Sequence, residues 1–189
     1  MRVIAGSARS VPLYEVKAAT TRPMTDRVKT SLFSILNPVL PDAQVVDLFA
    51  GTGSLGIEAL SRGATFCTFV ERDRACLRTI ARNLERTKLA DRGLILGRDA
   101  WRGVRELIAD GTQADLVFFD PPFWMGKPPH RERLVALARM LAEGLLAPGG
   151  MLVYHHEFDT PGELGVPGLA RVDERHYSRN VITMFRKLS

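Results

Sequence analysis

The sequence predicts a parallel, doubly wound α/β sheet, and two observations carry that expectation. From residue 44 onward apolar runs alternate with amphipathic stretches, the order expected when parallel strands are joined by crossover helices. Runs such as Val45-Val46-Asp47-Leu48-Phe49 and Asp115-Leu116-Val117-Phe118-Phe119 carry apolar residues on both faces, as strands covered by helices on each side do.

Taken in chain order, residues 2–5 and 11–16 read as two short strands and 25–36 as a helix. Thr25 suits the N-cap, and Asp26 lies in the first turn, where negative charge favours the helix dipole. Val28, Leu32, Ile35 and Leu36 give an apolar stripe at helical spacing, and Asn37-Pro38 ends it. Strands follow at 44–49, 65–71, 93–96, 114–120 and 151–156, with helices at 54–62, 74–89, 101–109 and 131–146 between them. Segment 157–168, rich in proline and glycine, reads as a loop. The tail, 169–172 and 181–187 around 177–180, reads as a closing antiparallel hairpin.

The chain has 189 residues, 46% hydrophobic and 25% charged, which argues against disorder and for an ordinary globular protein. No apolar run approaches the ~20 residues that span a bilayer, and the start lacks a signal peptide's apolar stretch. A cytoplasmic protein is therefore expected. Two cysteines, Cys67 and Cys76, are too few for a disulfide scaffold or a four-cysteine zinc site, and both read as reduced core thiols. No metal is expected. The net charge of +5 is uneven: residues 1–40 hold six Lys/Arg against two acids, and residues 171–189 hold five against two. Basic ends around a slightly acidic middle suit a polyanion, with nucleic acid the first candidate.

Asp47-Leu-Phe-Ala-Gly51-Thr-Gly53-Ser-Leu-Gly56 follows an apolar strand and precedes a helix. Gly51 and Gly53 permit a tight turn with close ligand approach, and Gly56 permits close helix packing. Glu71, twenty residues after Gly51 and at the next strand's end, suits ribose hydroxyls. These features alone admit NAD, FAD or S-adenosylmethionine. Asp47 disfavours NAD, because a carboxylate near the cradle repels a pyrophosphate but attracts an amino group and a sulfonium. Asp99, after the third strand, suits an adenine amino group; helix capping is the plainer role for Asp47 and Asp99.

Asp120-Pro121-Pro122-Phe123 follows the fourth strand. Consecutive prolines stop the strand and stiffen the turn. Such a turn aims the Asp120 carboxylate and the Pro121 carbonyl at an exocyclic NH2 group, while Phe123 offers a face on which a base stacks. Acceptors on both N–H bonds free the lone pair of an aromatic amine for in-line attack on a methyl sulfonium.

Together these motifs resemble those of S-adenosylmethionine-dependent amino-methyltransferases. The chain is most similar to the RsmD family, bacterial enzymes that methylate the N2 amine of a guanine in 16S ribosomal RNA. The resemblance covers nearly the whole chain. It begins with Thr21-Arg22-Pro23-Met24-Thr25-Asp26-Arg27-Val28-Lys29, similar to the family's TRP-x-x-DRV-[RK] signature. It continues through Asp47–Gly56, Glu58-Ala59-Leu60-Ser61-Arg62-Gly63-Ala64, Phe69-Val70-Glu71 and Asp120–Phe123. The resemblance implies a Rossmann-like class I S-adenosylmethionine methyltransferase fold with a seven-stranded, mostly parallel sheet over 44–189. Residues 1–43 would form a small basic N-terminal extension, a short hairpin plus a helix.

By the same resemblance, Asp47, Gly51 and Gly53 line the methionine part of the cofactor, and Phe49 and Gly56 complete that set. Glu71 holds the ribose, Asp99 the adenine, and Asp120, Pro121, Pro122 and Phe123 the target guanine. Arg22, Thr25 and Arg27 face RNA, the plainer role for the arginines being an ion pair with Asp26. The partner implied is 16S ribosomal RNA or an assembling small subunit, met by a monomer. Two stretches depart from the family pattern, residues 7–13 and Tyr177-Ser178-Arg179-Asn180, both on the expected RNA side.

His155-His156 ends the fifth strand, and alternation places one imidazole near the active edge; both read as structural or rim residues. Trp124 and Met125 either shield the base or simply pack, and Arg131, Arg133 and Arg139 read as a solvated face. The rival activities are DNA adenine-N6 or cytosine-N4 methylation, a non-catalytic RNA-binding assembly factor on this fold, and NAD oxidoreduction.

Overall fold

The computed structural model describes residues 1–16 and 24–188. Thr21, Arg22 and Pro23 of the signature lie outside the described residues. The elements run α1 (Asp26–Leu36), β1 (Gln44–Leu48), α2 (Ser54–Ser61), β2 (Phe66–Glu71), α3 (Arg74–Thr87), β3 (Gly93–Gly97), α4 (Ala100–Ala109), β4 (Ala114–Phe119), α5 (Arg131–Met140), β5 (Leu146–Glu157), β6 (Leu169–Tyr177) and β7 (Asn180–Lys187). The sheet is seven-stranded and mostly parallel, and the chain divides into two compact units, Met1–Ala100 and Trp101–Ser189.

The first unit contributes the strand run β3-β2-β1, all parallel, with Asp47 opposite Phe69 and Glu71 opposite Gly97. Leu48, Ile57, Leu60, Phe69 and Ile80 are fully buried in its core. Gly56 is required at the α2–β2 contact, because a Cβ there would lie 2.4 Å from Phe69 Cε1 and 2.6 Å from Cys67 Sγ. Both cysteines are free and buried, as expected. Thr25 caps α1, accepting from the Val28 N–H at 3.4 Å.

The N-terminal residues make a single antiparallel bridge, Arg2 with Pro12, instead of the two strands expected at 2–5 and 11–16. Val3 N–H to Val11 O and Leu13 N–H to Met1 O, each at 3.0 Å, close this bridge, but the Val11 N–H turns back to Ala8 O, and donors further along both arms bond to the helices instead. Glu58 of α2 accepts from the Ile4 N–H at 2.8 Å and the Ala5 N–H at 3.1 Å. Asn83 of α3 accepts from the Tyr14 N–H at 2.7 Å. Lys29 of the signature is fully buried, donating to Arg2 O at 2.8 Å and pairing with Glu58 at 3.3 Å. Burial lowers the Lys29 pKa, and the Glu58 charge opposes that shift.

The second unit contributes β4-β5-β7-β6. β4 and β5 are parallel, while β7 runs antiparallel to both β5 and β6, so the tail is the expected closing hairpin. Leu116, Phe118, Phe119, Leu137, Leu152 and Ile182 form its buried centre. The helix expected to reach residue 146 ends at Met140 and passes into a π-turn over Leu141–Leu145. There Gly144 packs so tightly on Ile108 that a Cβ would lie 2.6 Å from Ile108 Cδ1. β5 also starts five residues earlier than expected, with Pro148-Gly149-Gly150 forming an irregular entry opposite a register shift in β4. Among the described residues no helix is long and apolar enough to cross a membrane.

Candidate active site

In the first unit, parallel pairing brings the carboxyl ends of β1, β2 and β3 side by side, and Asp47, Glu71 and Asp99 lie at or just beyond these ends. Open α/β sheets bind ligands along this edge. The turn between β1 and α2 holds three left-handed residues, Phe49 (φ 65°), Gly51 (φ 55°) and Gly53 (φ 78°). For a bulky residue such as Phe49 this conformation costs about 1–3 kcal/mol and occurs where the surroundings enforce it. Here Val70 O accepts from the Phe49 and Ala50 N–H groups, each at 3.1 Å. A Cβ on Gly51 would meet nothing within 4 Å, so the backbone borders open space there.

The carboxylates of this edge organise the turn. Asp47 is buried and accepts from the Gly56 N–H at 2.9 Å, joining the end of β1 to α2. Glu71 Oε2 accepts from the Gly51 N–H at 2.9 Å, and its Oε1 accepts from the Arg72 and Asp73 N–H groups at 2.7 and 2.9 Å. A carboxylate oxygen has two acceptor sites, so Oε2 keeps room for a hydroxyl while holding the loop. Asp99 is exposed immediately before α4. These negative groups also act on their neighbours. Burial, aided by Asp47, raises the Cys67 pKa well above its usual value, and burial with Glu71 and Asp73 pushes Cys76 up to about 12. An open, left-handed turn bordered by carboxylates fits a cationic nucleoside cofactor such as S-adenosylmethionine.

In the second unit, Asp120 follows β4, and Pro122 leads into a single 3-10 turn, Phe123–Gly126. The Asp120 side chain is 34% exposed, and its Oδ1 lies 2.8 Å from His155 Nδ1. No described residue bonds Oδ2. His155 Nε2 lies 3.1 Å from Asn180 Oδ1, and the Phe123 ring stands edge-to-face with the imidazole at 5.2 Å. His156 points the other way, with Nε2 2.9 Å from Thr183 Oγ1. Lys127 ties the segment after the turn to Glu157 at 2.8 Å and Asp159 at 3.0 Å. Trp124 is 54% exposed, its ring against His130. Arg131, expected on a solvated face, donates to Pro161 O and Glu163 O and so pins the 157–168 loop.

Strand alternation anticipated that one of the paired histidines would face the active edge. It did not reveal that the imidazole bonds Asp120, or that the departing tail supplies Asn180. Of the residues expected at RNA, Thr25 caps α1 and Arg27 is exposed, while Arg22 lies outside the described residues. Among the described residues Asp26 pairs with Arg2, at 3.2 Å, and not with the signature arginine Arg27.

The family model described as conserved hypothetical protein 95 matches residues 1–186. The chain is similar to the putative rRNA methyltransferase YlbH of Bacillus subtilis, at 33% identity over 188 residues and 99% of each chain. It is 41% identical over 126 residues to the ribosomal RNA small subunit methyltransferase D of Escherichia coli K12, covering 67% of this chain and 62% of that protein. The solved structure of the putative methyltransferase yhhF from Escherichia coli superposes with a TM-score of 0.82 at 30% identity, covering 100% of this chain and 98% of that one.

Proposed function

The chain belongs to the RsmD family, whose model it matches over residues 1–186, and on that premise we propose that it methylates the N2 amine of a guanine in small-subunit (16S) ribosomal RNA. The cofactor is S-adenosylmethionine. Its similarity to proteins named as rRNA methyltransferases supports an rRNA substrate. The observation that carries the amine assignment is Asp120: one carboxylate oxygen is held by His155, and no described residue bonds the other.

Glu71 Oε2 would take a ribose hydroxyl and Asp99 the adenine amino group, while Asp47, Phe49, Gly51, Gly53 and Gly56 form the turn around the methionine part. When bound, the cofactor supplies a methyl group on a sulfonium, open to an in-line nucleophile. The chain's own task is to present that nucleophile. Asp120 Oδ2 accepts one amine hydrogen, the Pro121 carbonyl accepts the other, and Phe123 stacks on the base. Pro122 keeps the turn stiff. Holding both N–H bonds localises the nitrogen lone pair, which is positioning and electrostatics without a covalent intermediate. The guanine has to be unpaired or flipped to enter such a site. Arg22, Thr25 and Arg27, with the basic ends of the chain, face the RNA, and the protein works as a cytoplasmic monomer on 16S RNA or an assembling subunit.

The test incubates the protein with radiolabelled S-adenosylmethionine and either small subunits or naked 16S RNA from a strain lacking the gene. Label in N2-methylguanosine is expected. Label in N6-methyladenosine or N4-methylcytosine would overturn the base assignment, and cofactor binding without any label would point to a binding-only role.

A further inference from the structure

We infer that His155, backed by Asn180, is a positioning residue for methyl transfer: it holds Asp120 by one carboxylate oxygen so that the other faces the amine, and when charged it weakens that carboxylate as an acceptor. The inference deepens the reading of Asp120 as the amine acceptor and rests on it.

Three elements converge on this imidazole. His155 lies on β5 with its side chain 5% exposed, Asp120 follows the parallel neighbour β4, and Asn180 opens the antiparallel neighbour β7. The distances, 2.8 Å from Nδ1 to Asp120 Oδ1 and 3.1 Å from Nε2 to Asn180 Oδ1, engage both ring nitrogens. The Phe123 ring packs on the same imidazole, so one side chain braces both the carboxylate and the stacking residue of the turn. With Nδ1–H donating to Asp120, the ring either carries a second proton that Nε2 donates to the Asn180 oxygen, or stays neutral with Nε2 accepting from the rotated amide NH2. The Asp120 bond survives in both states and only the charge on the imidazole changes. The charged or titratable groups acting on His155 among the described residues are Asp120 and, from the adjacent β5 position, His156. Burial pulls the His155 pKa down, but the Asp120 charge, its hydrogen bond and that of Asn180 together hold it above the usual value.

His155→Ala is expected to lower kcat on the order of 10²-fold, the cost of a misplaced reacting group, with KM for S-adenosylmethionine unchanged. His155→Asn, whose side-chain N–H replaces the Nδ1–H donor, recovers most of that loss. Wild-type kcat rises with pH through the His155 pKa, and His155→Asn lacks that limb. Wild-type kcat in His155→Ala, or an unaltered limb in His155→Asn, would overturn the inference. A readout independent of substrate is the NMR titration of the His155 ring in wild type and in Asp120→Asn. The pKa should fall in the variant, and an unchanged value would overturn the pairing even if the guanine assignment stood. Absence of guanine methylation by the wild type would instead overturn the functional reading.

Discussion

Three acids of the first unit and Asp120 of the second carry the same chemical group put to opposite uses. Asp47, Glu58 and Glu71 turn their oxygens onto backbone N–H groups of their own unit: Gly56 for the first, Ile4 and Ala5 for the second, and Gly51, Arg72 and Asp73 for the third. Asp120 of the second unit has an imidazole as its one hydrogen-bond partner among the described residues, on one oxygen. A carboxylate bonded to backbone donors builds and stiffens a turn. One that has to accept a substrate hydrogen needs an oxygen left over. The comparison predicts that replacing acids of the first unit should cost stability or cofactor affinity, whereas replacing Asp120 should cost chemistry.

The largest effect expected is on stability, at Glu58. Its replacement by alanine leaves Lys29 buried without its counter-charge and the Ile4 and Ala5 N–H groups without an acceptor. Unfolding free energy should fall by about 3–5 kcal/mol, read from urea denaturation, and a loss under about 1 kcal/mol would break the contrast. Gly56→Ala comes next, because its Cβ would overlap Phe69 and Cys67; about 1–3 kcal/mol is the usual cost of such overpacking. Glu71→Gln should weaken S-adenosylmethionine binding about tenfold, or about 1.4 kcal/mol, since the amide holds fewer of the loop N–H groups. Turnover at saturating cofactor should hardly change, and a fall in kcat alone would assign Glu71 to the chemistry.

The smallest effect concerns pH and separates the two histidines. The His155 pKa is raised in the fold, so its contribution to stability is full below the unfolded value of about 6.5 and is lost as pH rises through the folded pKa. The His156 pKa is lowered, chiefly by burial, so its contribution is full above that unfolded value and is lost as pH falls through the folded pKa. Urea midpoints across this range should therefore lose the alkaline decline in Asp120→Asn and keep the acidic one. Loss of neither, or of both, would contradict the pairing of His155 with Asp120.

Much of this arrangement was legible in the chain. Strand–helix alternation anticipated the sheet, Thr25 the start of α1, and the acids their places at the strand ends, because each signal is local. What stayed hidden depends on register. Phe119 pairs with Tyr154, so the next step along β4 and β5 sets Asp120 beside His155, 35 residues away. No local pattern marks that meeting. Lys29 reads as one more basic residue of a signature until α1 and α2 bury it against Glu58. Phe49 gives no hint of its positive φ, which the close of β1 onto Val70 imposes. Pro148-Gly149-Gly150 falls between the expected helix and strand, although a register shift in the facing strand admits it to β5.

The most direct test of the division between the two units is Asp120→Asn, which keeps an oxygen for His155 and replaces the acceptor proposed for the amine with a donor. Cofactor affinity by calorimetry and single-turnover methyl transfer are measured on one preparation. Affinity should stay within about twofold, a shift of a few tenths of a kcal/mol, while transfer falls at least ~10²-fold, as when a preorganised polar group is removed from a transition state. Parallel loss of affinity and transfer, or transfer at the wild-type rate, would contradict the account.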